Sequence, residues 1–448
     1  MAASSTPAET NNRRKNVVVV GGGISGLTMA ERLTAVNEDL QVTVLERENS
    51  PGGLARTFSR DGFTFDIGPH RFHTSDQEVR GYLLSILGDD YVTIRRCSNV
   101  FMAGRYRSWP LTLKSVMGLP LPVLLRSFRD LFRSRRRRAQ KTFADHVISR
   151  YGRNIYDYFF KAYTEKFTGC SPEELHIDWA EAGVNRAVID KNVKADNLFS
   201  LIKGVLIPRP VQTDFYYPSS GGIQTFCSRQ AELIESRGGK VLYNSPAAGV
   251  RVENSRVTGV ETPGGGTLPA DRVYWSAPLS ILYPKRGFRF MNSLICNIGL
   301  SRKQDNDYQW CYFGQRDIIF SRLTVPANFR RDTVPEGRDS LTVEITVNDR
   351  NWREDLESIR GKMLRDLEMV RAIRPSDVLF MDWKMIPETY PLYDLDYRER
   401  LKDLEIPEGL RLMGRCGSFW YNNMDHSIEQ ALAFASGKPH SKDFWKQQ

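Results

Sequence analysis

Histidine is scarce in this 448-residue chain. There are six, and two of them, His70 and His73, share the stretch FTFDIGPHRFHT. The six cysteines, at positions 97, 170, 227, 296, 311 and 416, include no C-x-x-C pair. Without such partners the two histidines make no metal site, and none is expected. Cysteines scattered in this way fit reduced thiols in the cytoplasm rather than a disulfide framework. No run of roughly 18 uncharged apolar residues occurs, so no membrane-spanning helix is expected. The opening MAASSTPAETNNRRK lacks the apolar centre of a secretory signal, and residues 1–15 read as a disordered leader. Recognition helices, zinc fingers and RNA-binding signatures are also missing, which argues against a nucleic-acid partner.

What is present suits two globular domains sharing a cleft, with 41% hydrophobic and 11% aromatic residues. The net charge of +10 points towards anionic partners. Much of that excess is local: RSFRDLFRSRRRRAQK, Arg126 to Lys141, holds eight basic residues and follows the apolar MGLPLPVLL. It reads either as a peripheral contact with a membrane or an acidic partner, or as a solvated helix face beside a buried turn.

The most informative stretch is NVVVVGGGISGLTMAERL. Four consecutive valines read as a parallel strand buried on both faces. Gly21, Gly23 and Gly26 then fall at G-x-G-x-x-G spacing, with Ile24 and Ser25 between them, and a helical pattern follows. One glycine permits the tight turn, another lets backbone approach a pyrophosphate, and the third lets helix and strand pack closely. QVTVLER is a second strand ending at Glu46, twenty residues after Gly26, where an acid bonds the ribose hydroxyls of an adenine dinucleotide. An acid there suits FAD or NAD rather than NADP, whose extra phosphate it would repel.

Beyond that strand come Arg47, a second glycine pair Gly52–Gly53, then Leu54, Ala55 and Arg56. With E-(+)-x(4 to 5)-G-G-x-x-x-T in this place, the chain resembles the flavoprotein superfamily of amine oxidases, protoporphyrinogen oxidases, phytoene desaturases and UDP-galactopyranose mutases. The resemblance implies FAD, with residues 52–56 lying along its diphosphate and flavin. GFTFDIGPHRFHT extends it and is most similar to the UDP-galactopyranose mutases. Gly68, Pro69 and His70 then form a wall of the flavin pocket, and His73 places its backbone against the reactive flavin nitrogen. Arg71 is a candidate substrate contact.

The resemblance runs from about residue 16 to about 436. It places Val250 against adenine and Gly414, Arg415, Asn423 and Met424 at the flavin. It gives Arg415 and Tyr421 to a substrate diphosphate, with Asn423 beside them, so that these and His73 are the catalytic candidates. Tyr163, Lys166 and Arg186 line the pocket roof, and Tyr390 belongs to a tyrosine–proline segment leading back to the flavin. Three positions depart from the mutase pattern: Asn292 replaces an arginine, Asn423 an acid and Thr168 a tryptophan. Losing buried polar partners weakens binding by roughly 1–3 kcal/mol each.

The fold expected is α/β: a Rossmann-type FAD-binding domain from residues 16–95, 218–285 and 408–440, a helical insertion at 96–217, and a mixed substrate-side sheet at 286–407. No second dinucleotide fingerprint exists, since PGGGTLPADRV reads as a hairpin turn. Three functions follow: an FAD-dependent oxidoreductase acting on a small molecule, such as a nucleotide-linked or otherwise anionic sugar; a non-redox mutase; and a flavin-binding partner subunit without turnover.

Overall fold

A computed structural model of the protein describes residues 14–109, 125–126, 129–130, 140–180, 214–347 and 355–440. Arg186, most of the arginine run and nearly all of the leader lie outside them. Lys15, read as the end of the leader, opens the first strand.

Five parallel strands form the nucleotide-binding sheet, in the order Leu410–Leu412, Arg272–Trp275, Lys15–Val20, Leu40–Leu45, Lys240–Leu242. Val17 and Val19 pack into one core cluster while Val18 and Val20 pack into another. That division is what a central strand covered on both faces requires, and it explains the unbroken valine run. On one face the helix Ile24–Val36 packs between the helices Gln224–Ser236 and Met424–Ala435. Stretches far apart in the chain thus build one domain.

A second sheet has seven strands, in the order Val378–Pro391, Phe290–Leu300, Asp339–Val347, Arg322–Thr324, Trp310–Phe313, Ser98–Met102, Arg105–Ser108. The last two correct the expectation that residues from 96 onward belong to the helical insertion. They form a hairpin whose turn residues, Ala103 and Gly104, both have positive φ, and Trp310–Phe313 pairs with its first strand in parallel. A two-residue turn of this kind matches the twist of the strands that flank it. The other end of the insertion shifts as well: Asp214–Pro218 is a strand paired with Tyr91–Arg95.

The described part of the insertion is helical, from Phe143–Tyr151 to Lys161–Thr168. Thr142 and Asp145 cap its first helix reciprocally. PGGGTLPADRV makes the expected turn, with Gly264 and Gly265 at positive φ between paired strands. All six cysteines are free. Among the described residues no helix is long and apolar enough to cross a membrane.

Candidate active site

The nucleotide end is built almost entirely from backbone. Gly21 has φ +102°, and a Cβ at Gly26 would stand 2.0 Å from the Gly21 carbonyl oxygen. The helix Ile24–Val36 starts at extended Gly23, with neither a side-chain cap nor an acid in its first turn. Its first N–H groups therefore remain available to an anion. The Gly22 N–H donates to Glu46 Oε2 at 2.6 Å, and Glu48 N–H donates to Oε1 at 2.9 Å. Two backbone donors thus hold the buried Glu46 carboxylate at the strand end, with lone pairs left for hydroxyls.

The second glycine pair packs on the first. Gly52 N–H donates to Gly22 O at 2.7 Å, and a Cβ at Gly53 would meet Gly23 Cα at 3.2 Å. Arg56 Nε donates to Gly53 O, and Arg56 pairs with Glu48 at 2.8 Å, fixing the turn that carries Leu54 and buried Ala55. Arg47 is the more exposed residue, pairing with Glu48 at 3.3 Å. Ser245 N–H donates to Glu46 O, which brings the segment leading to half-buried Val250 beside the acid. Gly414, at φ +72°, seats against Ser25, where a Cβ would lie 2.6 Å from the serine hydroxyl, and its N–H donates to Gln430 Oε1.

The Gly68–Arg71 wall stands over the second sheet. A Cβ at Gly68 would come 3.2 Å from Arg322 Nη2 and 3.3 Å from Glu344 Oε2. Arg322 and Glu344 are cross-strand partners joined by an ion pair, with Nε to Oε2 at 2.8 Å. Tyr312 is the next partner of Arg322 along the sheet. His70 N–H donates to Gly68 O, and its Nδ1 is buried without a hydrogen-bond partner. Burial, with the charges of Arg415, Arg322 and Arg71, pushes the His70 imidazole down to about 3, so it is neutral at physiological pH. Arg71 packs against Phe215 and Trp310, 4.9 and 4.5 Å from the ring centres, and donates from Nη1 to Pro69 O at 2.8 Å.

Arg415 sits over Tyr390 at 4.6 Å and is 5.9 Å from Tyr421, and those two rings lie 4.9 Å apart. Its guanidinium donates to the carbonyls of Asn422 and Thr389, so it braces the tyrosines as well as facing His70. Tyr163 packs edge-on to Tyr312, and burial holds its hydroxyl well above the ordinary value. Asn423 is exposed ahead of the helix that Met424 opens, and its N–H reaches His426 Nδ1 at 3.4 Å. The His73 ring is exposed and packs edge-on to Phe215, whereas His70 turns towards the arginines.

Three substrate candidates are occupied by the protein itself. Lys166 Nζ donates to the carbonyls of Phe313 and Phe320, at 2.9 and 3.3 Å, tying its helix to the sheet. Thr168 Oγ1 donates to Thr164 O and accepts from Cys170 N–H where the helix stops at left-handed Gly169. Asn292 Oδ1 accepts from Glu388 N–H, securing a bulge at which Glu388 has φ +55°. Arg322, Glu344, Tyr312, Trp310 and Arg96 were not anticipated. One signal existed: Glu344 interrupts the apolar strand SLTVEITV, and a buried charge there needs a partner.

The uncapped helix start, the glycine-on-glycine contact and the unpartnered His70 Nδ1 fit the FAD that the resemblance implies. Gly21–Gly26, Glu46 and Gly52–Arg56 would hold its nucleotide and diphosphate, with Gly68–His70 and Gly414 beside the ring system. Among the described residues no group of three or more His, Cys, Asp or Glu could hold a metal.

Known proteins agree with this architecture. The family model of flavin containing amine oxidoreductases matches residues 24–406. A protein of Klebsiella pneumoniae named "Probable UDP-galactopyranose mutase" is 26% identical over 437 residues, covering 94% of each chain. The zeta-carotene-forming phytoene desaturase of Myxococcus xanthus is 25% identical over 410 residues, 79% of this chain and 77% of that one. A crystal structure of reduced UDP-galactopyranose mutase superposes with a TM-score of 0.79 at 20% identity, covering 97% of this chain and 98% of the other. Putrescine oxidase bound to putrescine superposes with a TM-score of 0.63 at 17% identity, covering 94% and 98%. At those identities the two superpositions speak for the fold.

Proposed function

The chain belongs to the flavin-containing amine oxidoreductase family and binds FAD, and on that premise we propose that it is an oxidoreductase for a small anionic substrate, a nucleotide-linked or otherwise acidic sugar in type. The observation that carries this reading is the charge around the wall. Arg71, Arg96, Arg322 and Arg415 approach it, and among the described residues only Arg322 of these four has a carboxylate, Glu344, in an ion pair. Half-buried cations in surplus beside aromatic rings favour a ligand with negative charge and a flat or ring-shaped body.

Bound FAD supplies the electron-transfer chemistry. The chain's own work is to orient and to exclude water. Arg322, which burial alone would lower, is held charged by Glu344 and presents a fixed donor edge. His70 is neutral and can exchange one hydrogen bond through Nδ1 without adding another positive charge. Tyr163 keeps its proton and can donate to a substrate oxygen. Tyr390 and Tyr421, braced by Arg415, close the side nearest the C-terminal helix.

Anaerobic mixing tests the reading. Oxidised protein is exposed to UDP-sugars, uronates and other acidic sugars, and substrate-dependent bleaching of the flavin is expected. A second reading, the non-redox mutase, draws support from the relative of Klebsiella pneumoniae. Turnover of a UDP-sugar only after reduction with dithionite, with no bleaching beforehand, would replace the first reading with the second. Absence of turnover in both states would favour a partner subunit. The free cysteines suit a reducing compartment, and we place the reaction in the cytoplasm.

A further inference from the structure

We propose that Arg71 and Arg96, set about Trp310, form an oxyanion subsite that takes the phosphate or carboxylate of the substrate. The inference rests on the reading above for the ligand's identity, but its geometry stands on its own.

Arg71 packs against both Phe215 and Trp310, with ring-centre distances of 4.9 and 4.5 Å, where those two tilted rings lie 6.0 Å apart. That aromatic contact holds the guanidinium and leaves recognition to its edges. Nη1 is occupied by Pro69 O at 2.8 Å. The side-on edge carries Nε, which is buried and has no hydrogen-bond partner. That edge, Nε with Nη2, is the one that receives a carboxylate or phosphate through two parallel bonds.

Arg96 approaches the same indole at 5.6 Å and donates from Nε to Ser98 Oγ at 3.1 Å, which leaves its terminal nitrogens for another acceptor. Trp310 Nε1 is itself buried without a partner. Neither arginine has a carboxylate in an ion pair among the described residues. Burial, with Arg96 and Arg322, lowers Arg71 to about 10, and Tyr312 and Asp425 oppose that only in part. Burying two cations without a counter-ion is costly, and an incoming oxyanion would repay it. Since Arg71 follows His70 directly, an anion on its free edge would lie beside the flavin wall.

The test uses the flavin-loaded protein and two probes, inorganic pyrophosphate and acetate, titrated separately. The flavin difference spectrum and tryptophan fluorescence are both recorded. Saturable change with pyrophosphate assigns a phosphate, and with acetate a carboxylate. Arg71→Leu should weaken that binding about tenfold to a hundredfold, as loss of a charge-assisted pair of bonds implies. Arg71→Lys should fall between, because an ammonium lacks the fork, and Arg96→Leu should cost less than Arg71→Leu. Flavin content and melting temperature show whether each variant is folded, and if Arg71→Leu is not, Arg71→Lys and Arg96→Leu decide. Wild-type protein that responds to neither probe overturns the proposal. So do folded variants that bind as wild type does. If the subsite binds an anion yet no substrate bleaches the flavin, the oxidoreductase reading fails and the subsite stands.

Discussion

Arg322 and Glu344 face one another across adjacent antiparallel strands, and their ion pair lies directly under Gly68. Neither charge is exposed enough to be satisfied by water alone. Removing one partner leaves the other buried and alone, so Glu344→Gln should cost about 3–5 kcal/mol of stability. Denaturant unfolding measures it. A double replacement, Arg322→Met with Glu344→Leu, should recover much of that loss, and a double mutant no more stable than Glu344→Gln would contradict the account.

The contact between Gly26 and Gly21 leaves no room for a methyl group, since the obstacle at 2.0 Å is backbone and cannot turn aside. Gly26→Ala should therefore purify with little or no flavin while remaining folded by circular dichroism. The ratio of visible to ultraviolet absorbance reads this out, and a fully yellow variant would refute it.

Asp66 accepts hydrogen bonds from Thr57, Tyr217 and Ile223, yet burial outweighs them and pushes its carboxyl up to about 6. A raised value means the folded state prefers the protonated acid. The resulting stabilisation is full below about pH 4 and is lost as the pH climbs through about 6. The stability of wild type relative to Asp66→Asn should thus decline over that window, by on the order of 2 kcal/mol. Melting curves at pH 4, 5, 6 and 7 check the sign, and a difference that grows with pH would reverse the argument.

Lys166 holds two sheet carbonyls, and burial lowers its ammonium to about 8. Lys166→Met should then destabilise the protein by about 1–3 kcal/mol and leave substrate affinity near its wild-type value. A large rise in KM with unchanged melting temperature would restore the substrate role that the sequence suggested.

The residues that the sequence assigns to the nucleotide share a property. Gly21, Gly23, Gly26 and Glu46 act through backbone shape and short fixed spacings, and these are written along one stretch of chain. Lys166, Thr168 and Asn292 bond carbonyls and an N–H that only folding brings near, and no spacing along the chain announces those partners. The hairpin around Ala103–Gly104 escaped for a related reason: its strands are short, and the parallel pairing with Trp310–Phe313 joins segments some two hundred residues apart.

Order along the polypeptide settled the cofactor and the strand–turn–helix that receives it, because a diphosphate is bound by main-chain groups whose positions follow from local glycine spacing. The surroundings of the proposed substrate face were decided by strand register and by the packing of one guanidinium against two aromatic rings. Arg71, Arg96, Trp310, Arg322 and Glu344 meet only when seven strands align, and charge at such a place acquires its meaning from what is buried beside it.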